Sequence, residues 1–264
     1  MQWVAVAAAV TWFGLLLLLP LGVLVKQTFG GGLGPFFNAL VTPEARHAFF
    51  LTLIITVVSV LVNTLLGLPT AFVLARYRTR LRVVIDGLVN LPLAVSPVVA
   101  GLMFLFLFGR EGWFGGLLEG AGIKIVFALP GMILATIFVS LPFVVREVVP
   151  VLEEAGFDNE EAAWTLGAGW WSTFRRVTLP QMRWGLIYGM TLTTARAMGE
   201  FGAVMVVSGN IIRKTQTVTL HINQALADFD YRGACSAALV LAVVSFAILI
   251  TVQTLYRKRK GEQE

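Results

Sequence analysis

Charge is scarce in this sequence. Only 13% of its 264 residues are Asp, Glu, Lys or Arg, against 57% hydrophobic ones, whereas a soluble domain carries about 25% charged residues. Sulfur and imidazole are scarcer still. The one cysteine, Cys235, excludes an internal disulfide and any cysteine-built zinc or iron–sulfur site within the chain. His47 and His221, the two histidines, leave little for metal chemistry. No G-x-x-x-x-G-K-[ST] phosphate loop occurs, so a nucleotide site would have to sit on another polypeptide. With no convergent nucleophile, base or ligand set, neither a catalytic residue nor a metal site is expected. The net charge of +5 and a pI near 9.7 raise nucleic acid as a partner. The basic residues nevertheless sit in short segments between apolar runs and build no basic domain, so nucleic acid is not expected.

What the chain does have is long apolar runs. A spanning helix needs about 20 mainly apolar residues, because the hydrocarbon core is roughly 30 Å thick. Uncharged runs cover residues 3–25, 48–75, 87–109, 125–145 and 233–256, and a sixth apolar stretch, 184–209, is interrupted by Arg196 and Glu200. The expectation is an all-α integral membrane protein with six transmembrane helices, one domain over residues 1–264. The 26 Gly and 10 Pro, spread through the apolar runs, suit membrane helices. The first run is longer than the roughly 7–15 apolar residues of a signal peptide, and Met1-Gln2 supplies no basic residue, so it is expected to persist in the mature protein. With both termini cytoplasmic, twelve Lys and Arg residues fall on the inner side and seven on the outer. That bias favours both ends inside. The inner set includes Arg76, Arg78, Arg80 and Arg82, read as anchors at lipid headgroups.

The long inner segment, about 146–183, carries the most information. Asp158-Asn159-Glu160-Glu161-Ala162-Ala163 places a capping residue and acidic side chains at a helix start, where the dipole favours negative charge. Asp158 and Glu161 have capping-box spacing. Gly167-Ala168-Gly169 suits a left-handed helix end, and Pro180 is expected to interrupt the helix that follows. A short amphipathic helix held between two spans suits docking to a soluble partner.

The spacing within that segment narrows the reading. Glu161-Ala162-Ala163, Gly167 and then Val177-Thr178-Leu179-Pro180 resemble the EAA loop of ABC-transporter importer permeases, with Val177 where that motif usually has Ile. The resemblance implies a type I importer permease fold, with residues 161–167 as a cytoplasmic coupling helix between helices 4 and 5. Glu160, Glu161, Ala162, Ala163, Gly167, Leu179 and Pro180 would form the loop that meets the ATPase. Further blocks are similar to the sulfate/thiosulfate permease subfamily, its W-type subunit above all. They include Ser96-Pro97-Val98-Val99-Ala100-Gly101-Leu102, Gly112-Trp113-Phe114-Gly115 and Met198-Gly199-Glu200-Phe201-Gly202. Molybdate/tungstate permeases share the Gly-Glu-Phe-Gly block, and residues 210–220 depart from the sulfate pattern, with Thr219 where Pro is typical. The resemblance implies two copies of a cytoplasmic ATPase that binds ATP and Mg, a second related permease subunit (a different chain or a copy of this one) and an extracytoplasmic sulfate/thiosulfate-binding protein. No cofactor is implied for this chain itself.

The intramembrane charges leave alternatives open. Arg196 lies near mid-bilayer if residues 184–209 form one helix, and Glu200 four residues on shares its face. The two could be a mutual ion pair that locks the helix, an electropositive lining for an oxyanion, or contacts to a second permease. Ser96 before Pro97 suits either a helix break that exposes backbone N–H groups or a packing kink. Lys214, Thr215 and Thr217 are expected in an outer loop where substrate would arrive.

Overall fold

Helix is the only regular structure among the described residues of this computed structural model, 2–77 and 80–260. Arg78 and Met1 lie outside the described residues. The chain runs through α1 (Gln2–Phe29), α2 (Leu33–Val41), α3 (Pro43–Arg76), α4 (Arg80–Ala94), α5 (Pro97–Phe108), α6 (Gly115–Gly120) and α7 (Leu129–Ala155). Then come α8 (Asp158–Thr165), α9 (Trp170–Thr173), a π-helical turn (Phe174–Thr178), α10 (Leu179–Met198), α11 (Gly202–Ser208), α12 (Val218–Ala227) and α13 (Tyr231–Lys260).

The 34-residue α3 and α7 form the centre of the bundle, with α10 packed on both. Helix α3 starts cleanly: Thr42 caps it by accepting a hydrogen bond from the Ala45 N–H at 3.3 Å, Pro43 occupies the first turn and Glu44 faces the helix dipole. Its far half buries Ala71 and Leu74 against Val144, Val145, Val148 and Leu152 of α7 and Met182 of α10. Small residues bring these helices close, as lipid-embedded packing requires. A Cβ at Gly189 would stand 3.0 Å from the Val144 Cα, and one at Gly185 2.7 Å from the Glu147 carbonyl oxygen. Helix α1, by contrast, packs against α13 and α2 and leaves its spanning stretch exposed along its length. Its leucines face what would be lipid or another subunit.

Among the described residues four helices are long and apolar enough to cross a membrane, and up to five spans result if the bent pair α4 and α5 is taken as one. The count of six is therefore not matched one for one, and two expected spans are broken. Residues 87–109 bend by 109° between α4 and α5, because Pro97 cannot continue a helix from Ser96 and pushes Ser96 into extended backbone, φ −59° and ψ 137°. Residues 184–209 are divided into α10 and α11 by a break over residues 199–201. The two breaks meet. A Cβ on Gly202 would lie 3.1 Å from the Pro97 Cβ, and one on Gly101 would lie 2.8 Å from the Ala203 carbonyl oxygen. Ala100 and Ala203 are fully buried there, on Ala135, Val139 and Val207. Two short helices thus start side by side within the bundle, each at the point where a longer helix stopped.

Candidate functional site

The segment between α7 and α10 folds as a short helix stood on a buried ion pair. Gly156, at φ +64°, ends α7, and α8 begins at once, with Asp158, Glu160 and Glu161 in its first turn. The helix starts one residue earlier than the capping pattern suggested. Phe157 occupies the cap with no side-chain bond, its carbonyl accepts from the Glu160 and Glu161 N–H groups, and Asp158 is already inside the helix. The acidic turn still complements the dipole. The C-terminal end matches the expectation. Gly167 takes φ +84°, its N–H donates to the Trp164 carbonyl at 2.9 Å, and the Ala168 N–H donates to the Ala163 carbonyl at 3.0 Å. This is the paired-bond glycine cap that satisfies the last carbonyls of a helix.

Glu160 and Glu161 divide the work. Glu160 is buried, while Glu161 and Ala162 face out and Ala163 is half-buried. The Glu160 Oε1 accepts from the Arg76 Nη2 at 3.0 Å and from the Thr178 hydroxyl at 2.7 Å. Arg76 also donates from Nη1 to the Leu152 carbonyl at 2.9 Å, and its guanidinium lies 4.4 Å from the centre of the Phe157 ring. Arg76 therefore corrects the headgroup reading of the basic series: it points inward, because one carboxylate and one helix-end carbonyl wait there. Arg80 is exposed, as an anchor should be, and Arg82 pairs with Glu153 at the partly exposed rim. Sequence reasoning singled out Glu160 but missed Arg76 and Thr178 as its partners. An Arg every second residue gives no local signal for which one turns in.

Around this clasp the loop shows an apolar outer surface. Trp164, Trp170 and Trp171 are exposed, Leu166 is 88% exposed, and Trp170, Trp171 and Phe174 stack at 5.8–6.1 Å. Pro180 does not interrupt the helix that follows. The π-helical turn supplies the slack, with the Leu179 N–H reaching back to the Phe174 carbonyl, so the ring of Pro180 is accommodated in the first turn of α10. Leu179 is half-buried and Pro180 exposed.

At the second break, Arg196 Nη1 and Glu200 Oε2 stand 2.6 Å apart. The pair closes across a helix end and not along one helix face, since α10 stops at Met198. Only 2% of the Glu200 side chain is accessible, against 30% for Arg196. The other Glu200 oxygen accepts from the Ala203 N–H at 2.9 Å, which ties the carboxylate to the start of α11, and the Glu200 carbonyl accepts from the Thr219 hydroxyl at 2.8 Å. Thr217 and Thr219 hydroxyls are in turn 3.1 Å apart. Ser96, exposed at the start of α5, makes no side-chain cap bond. The packing of Pro97 on Gly202 brings Ser96 and Pro97 to the same pair of helix starts. Lys214 does not join this group. It stands on an exposed turn where its carbonyl lies 3.4 Å from the His47 Nε2, while its neighbours Thr215, Gln216 and Thr217 are buried. A separate cavity of about 980 Å³ between the end of α5 and the start of α7 is lined by Arg110, Glu111, Glu119 and Lys124 among others; it includes Gly112 and Gly115 but none of the residues expected in the ATPase loop or the translocation path.

Long exposed apolar helices, two spans broken into facing half-helices and an exposed loop helix anchored by a buried ion pair define a polytopic transport permease. More particularly, residues 64–260 match the family described as the binding-protein-dependent transport system inner membrane component, and the chain belongs to that family. It is a multi-pass inner-membrane permease component of an ABC importer and not itself an enzyme. The "Sulfate transport system permease protein CysW" of Synechococcus elongatus is 48% identical over 258 residues, covering 98% of this chain and 90% of that one. The protein of the same description in Escherichia coli K12 is 41% identical over 263 residues, covering 100% and 90%. Among solved structures, a chain of a bacterial alginate ABC transporter in complex with an alginate-pentasaccharide-bound periplasmic protein superposes with a TM-score of 0.79 at 18% identity, covering 97% of this chain and 94% of that one. At that identity the likeness is one of fold.

Proposed function

We propose that this chain is one half of the permease pair of an ATP-driven sulfate/thiosulfate importer. The observation that carries this reading is identity of 48% along 98% of the chain to a permease described as part of a sulfate transport system. A sulfate dianion cannot cross hydrocarbon bare, since burying an unpaired charge costs tens of kcal/mol. The permease must therefore screen it and open alternately to the two sides. In the proposed complex two copies of a cytoplasmic ATPase bind ATP and Mg, a second, related permease completes the pathway, and an extracytoplasmic binding protein delivers the anion. Both termini of this chain are cytoplasmic in this reading.

The α8 loop is the ATPase contact. Glu161, Ala162, Ala163 and Gly167, with the neighbouring Trp164 and Leu166, present the outward surface, Glu160 holds it from below, and Leu179 and Pro180 lead the motion into α10. Ser96, Pro97, Arg196 and Glu200 belong to the translocation path, where backbone N–H groups at the start of α5 are donors for an oxyanion. Arg196 is engaged by Glu200, so the pair acts first as a lock on the α10–α11 break, which supports the ion-pair reading over a bare electropositive lining. Lys214, on its exposed turn, meets the anion or its binding protein at the outer mouth. The molybdate/tungstate alternative has no counterpart among the relatives described above.

The test is anion-stimulated ATP hydrolysis by the whole complex in liposomes, with the binding protein supplied. Stimulation by sulfate or thiosulfate but not molybdate supports the reading. Stimulation by molybdate or tungstate alone would refute the substrate and leave the fold intact.

A further inference from the structure

Helix α8 has a glycine at each end. Gly156 at φ +64° precedes it and Gly167 at φ +84° follows it, and a Cβ at either position would meet nothing within 4 Å. Both links have a backbone that glycine adopts readily and no neighbouring group packs against them, so α8 is joined to the long helices through glycines held only by local hydrogen bonds. A force applied to the outward face of such a helix would rotate it unless its inner face were pinned.

One ion pair does the pinning. Arg76 is the last residue of α3, and its side chain is 3% accessible, with that of Glu160 at 2%. From this position the guanidinium holds the α7 end through the Leu152 carbonyl and α8 through Glu160, and the same Glu160 oxygen holds the π-helical turn before α10 through Thr178. Three long helices and the loop helix thus meet on two side chains. A buried ion pair is a poor source of stability, because the hydration it loses offsets most of its attraction, so an apolar cluster would serve as well for folding alone. What it adds is bonds of fixed direction to several elements at once. The pair is also single-legged: the Arg76 Nε and the Glu160 Oε2 are buried with no hydrogen-bond partner. They are the donor and acceptor that a two-bond fork requires, so the clasp can tighten without any further residue.

We propose that Arg76 and Glu160 are positioning residues that convert pressure on α8 into movement of α3 and α10. Arg76 acts through Glu160, and Thr178 carries the connection onward. This rests on the reading of α8 as the ATPase contact and adds the element that makes such a contact productive.

The experiment is anion uptake and ATP hydrolysis measured together on the complete importer in proteoliposomes, for wild type, E160Q, T178V and W164A. Glu160→Gln keeps the shape of the side chain and removes its charge. Thr178→Val leaves the ion pair and cuts only the tie to α10. The expected result is that E160Q lowers anion taken up per ATP hydrolysed by about tenfold, as loss of a charged hydrogen bond implies, with T178V lowering the same ratio by less. The ATPase still co-purifies with both. Trp164→Ala instead weakens ATPase co-purification, which tests the docking surface separately. A wild-type ratio in E160Q, or in T178V where E160Q does not assemble, would overturn the proposal while leaving the docking reading in place. Unchanged ATPase co-purification in W164A would count against the docking reading itself.

Discussion

Replacing Arg196 by Met tests how the α10–α11 break is held. The substitution removes the cation 2.6 Å from Glu200 and leaves a carboxylate whose side chain is only 2% accessible. Glu200 would keep one strong donor, the Ala203 N–H at 2.9 Å. Removing one partner of a buried pair costs roughly 3–5 kcal/mol. Arg196 is 30% accessible and already partly hydrated, so the lower end applies, about 3 kcal/mol. Glu200→Gln should cost less, about 1–2 kcal/mol, because the amide oxygen still accepts from Ala203 and the stranded guanidinium reaches water. In the double variant R196M/E200Q no buried charge is left alone, and its cost should fall short of the sum of the single ones by about 2 kcal/mol. The assay is denaturation in mixed micelles, followed by tryptophan fluorescence and far-ultraviolet circular dichroism. Equal costs for R196M and E200Q, or strict additivity in the double variant, would refute the claim that the pair locks the break.

Three further outcomes are expected. Gly167→Ala forces a side chain to φ +84° in open space and should cost about 1 kcal/mol through backbone strain alone, seen in the same denaturation assay together with reduced uptake. Gly101→Val places bulk 2.8 Å from the Ala203 carbonyl and 2.9 Å from the Val206 Cβ, so α5 must part from α11, at about 1–3 kcal/mol or more, and a wild-type midpoint would contradict the close packing of the half-helices. For His221, burial lowers the pKa from the ordinary 6.5, with Glu44 and Asp230 pulling upward in smaller measure. The unfolded chain then binds a proton that the folded chain does not, so stability is intact above the ordinary value of 6.5 and falls as pH drops through it toward the folded pKa. Denaturation midpoints between pH 7.5 and 5 should show this slope in wild type and a shallower one in His221→Gln, and identical slopes would refute it.

The sequence carried those features that depend on single residues. Gly167 marked the end of α8 because a left-handed cap has few other occupants, whereas Pro97 left a break and a packing kink both compatible with the run 87–109, and the structure shows the break. Features that depend on partners distant in the chain were not legible. The meeting of the two breaks rests on Gly101 against Ala203 and Gly202 against Pro97, contacts that no local pattern announces. Arg76 resembled its exposed neighbours until α7 and α8 supplied a carbonyl and a carboxylate beside it. For Arg196 and Glu200 the spacing leaves an ion pair as one of three alternatives, and the pair that forms closes across the interruption at residues 199–201 and not along a continuous helix. Pro180 erred the opposite way: a single residue suggested a break that the π-helical turn absorbs.

Whether α8 is the surface that meets the ATPase is tested most directly by one cross-linking measurement. Single cysteines are placed by Glu161→Cys on α8 and by Trp113→Cys, an 87% exposed residue between α5 and α6, in a Cys235→Ser background of the assembled importer. The position 161 cysteine is expected to form a cross-link to the ATPase subunit that changes in yield when ATP is added, and the position 113 cysteine to form none. A cross-link from position 113 to the ATPase, or none from position 161 in a complex that transports normally, would contradict α8 as that surface.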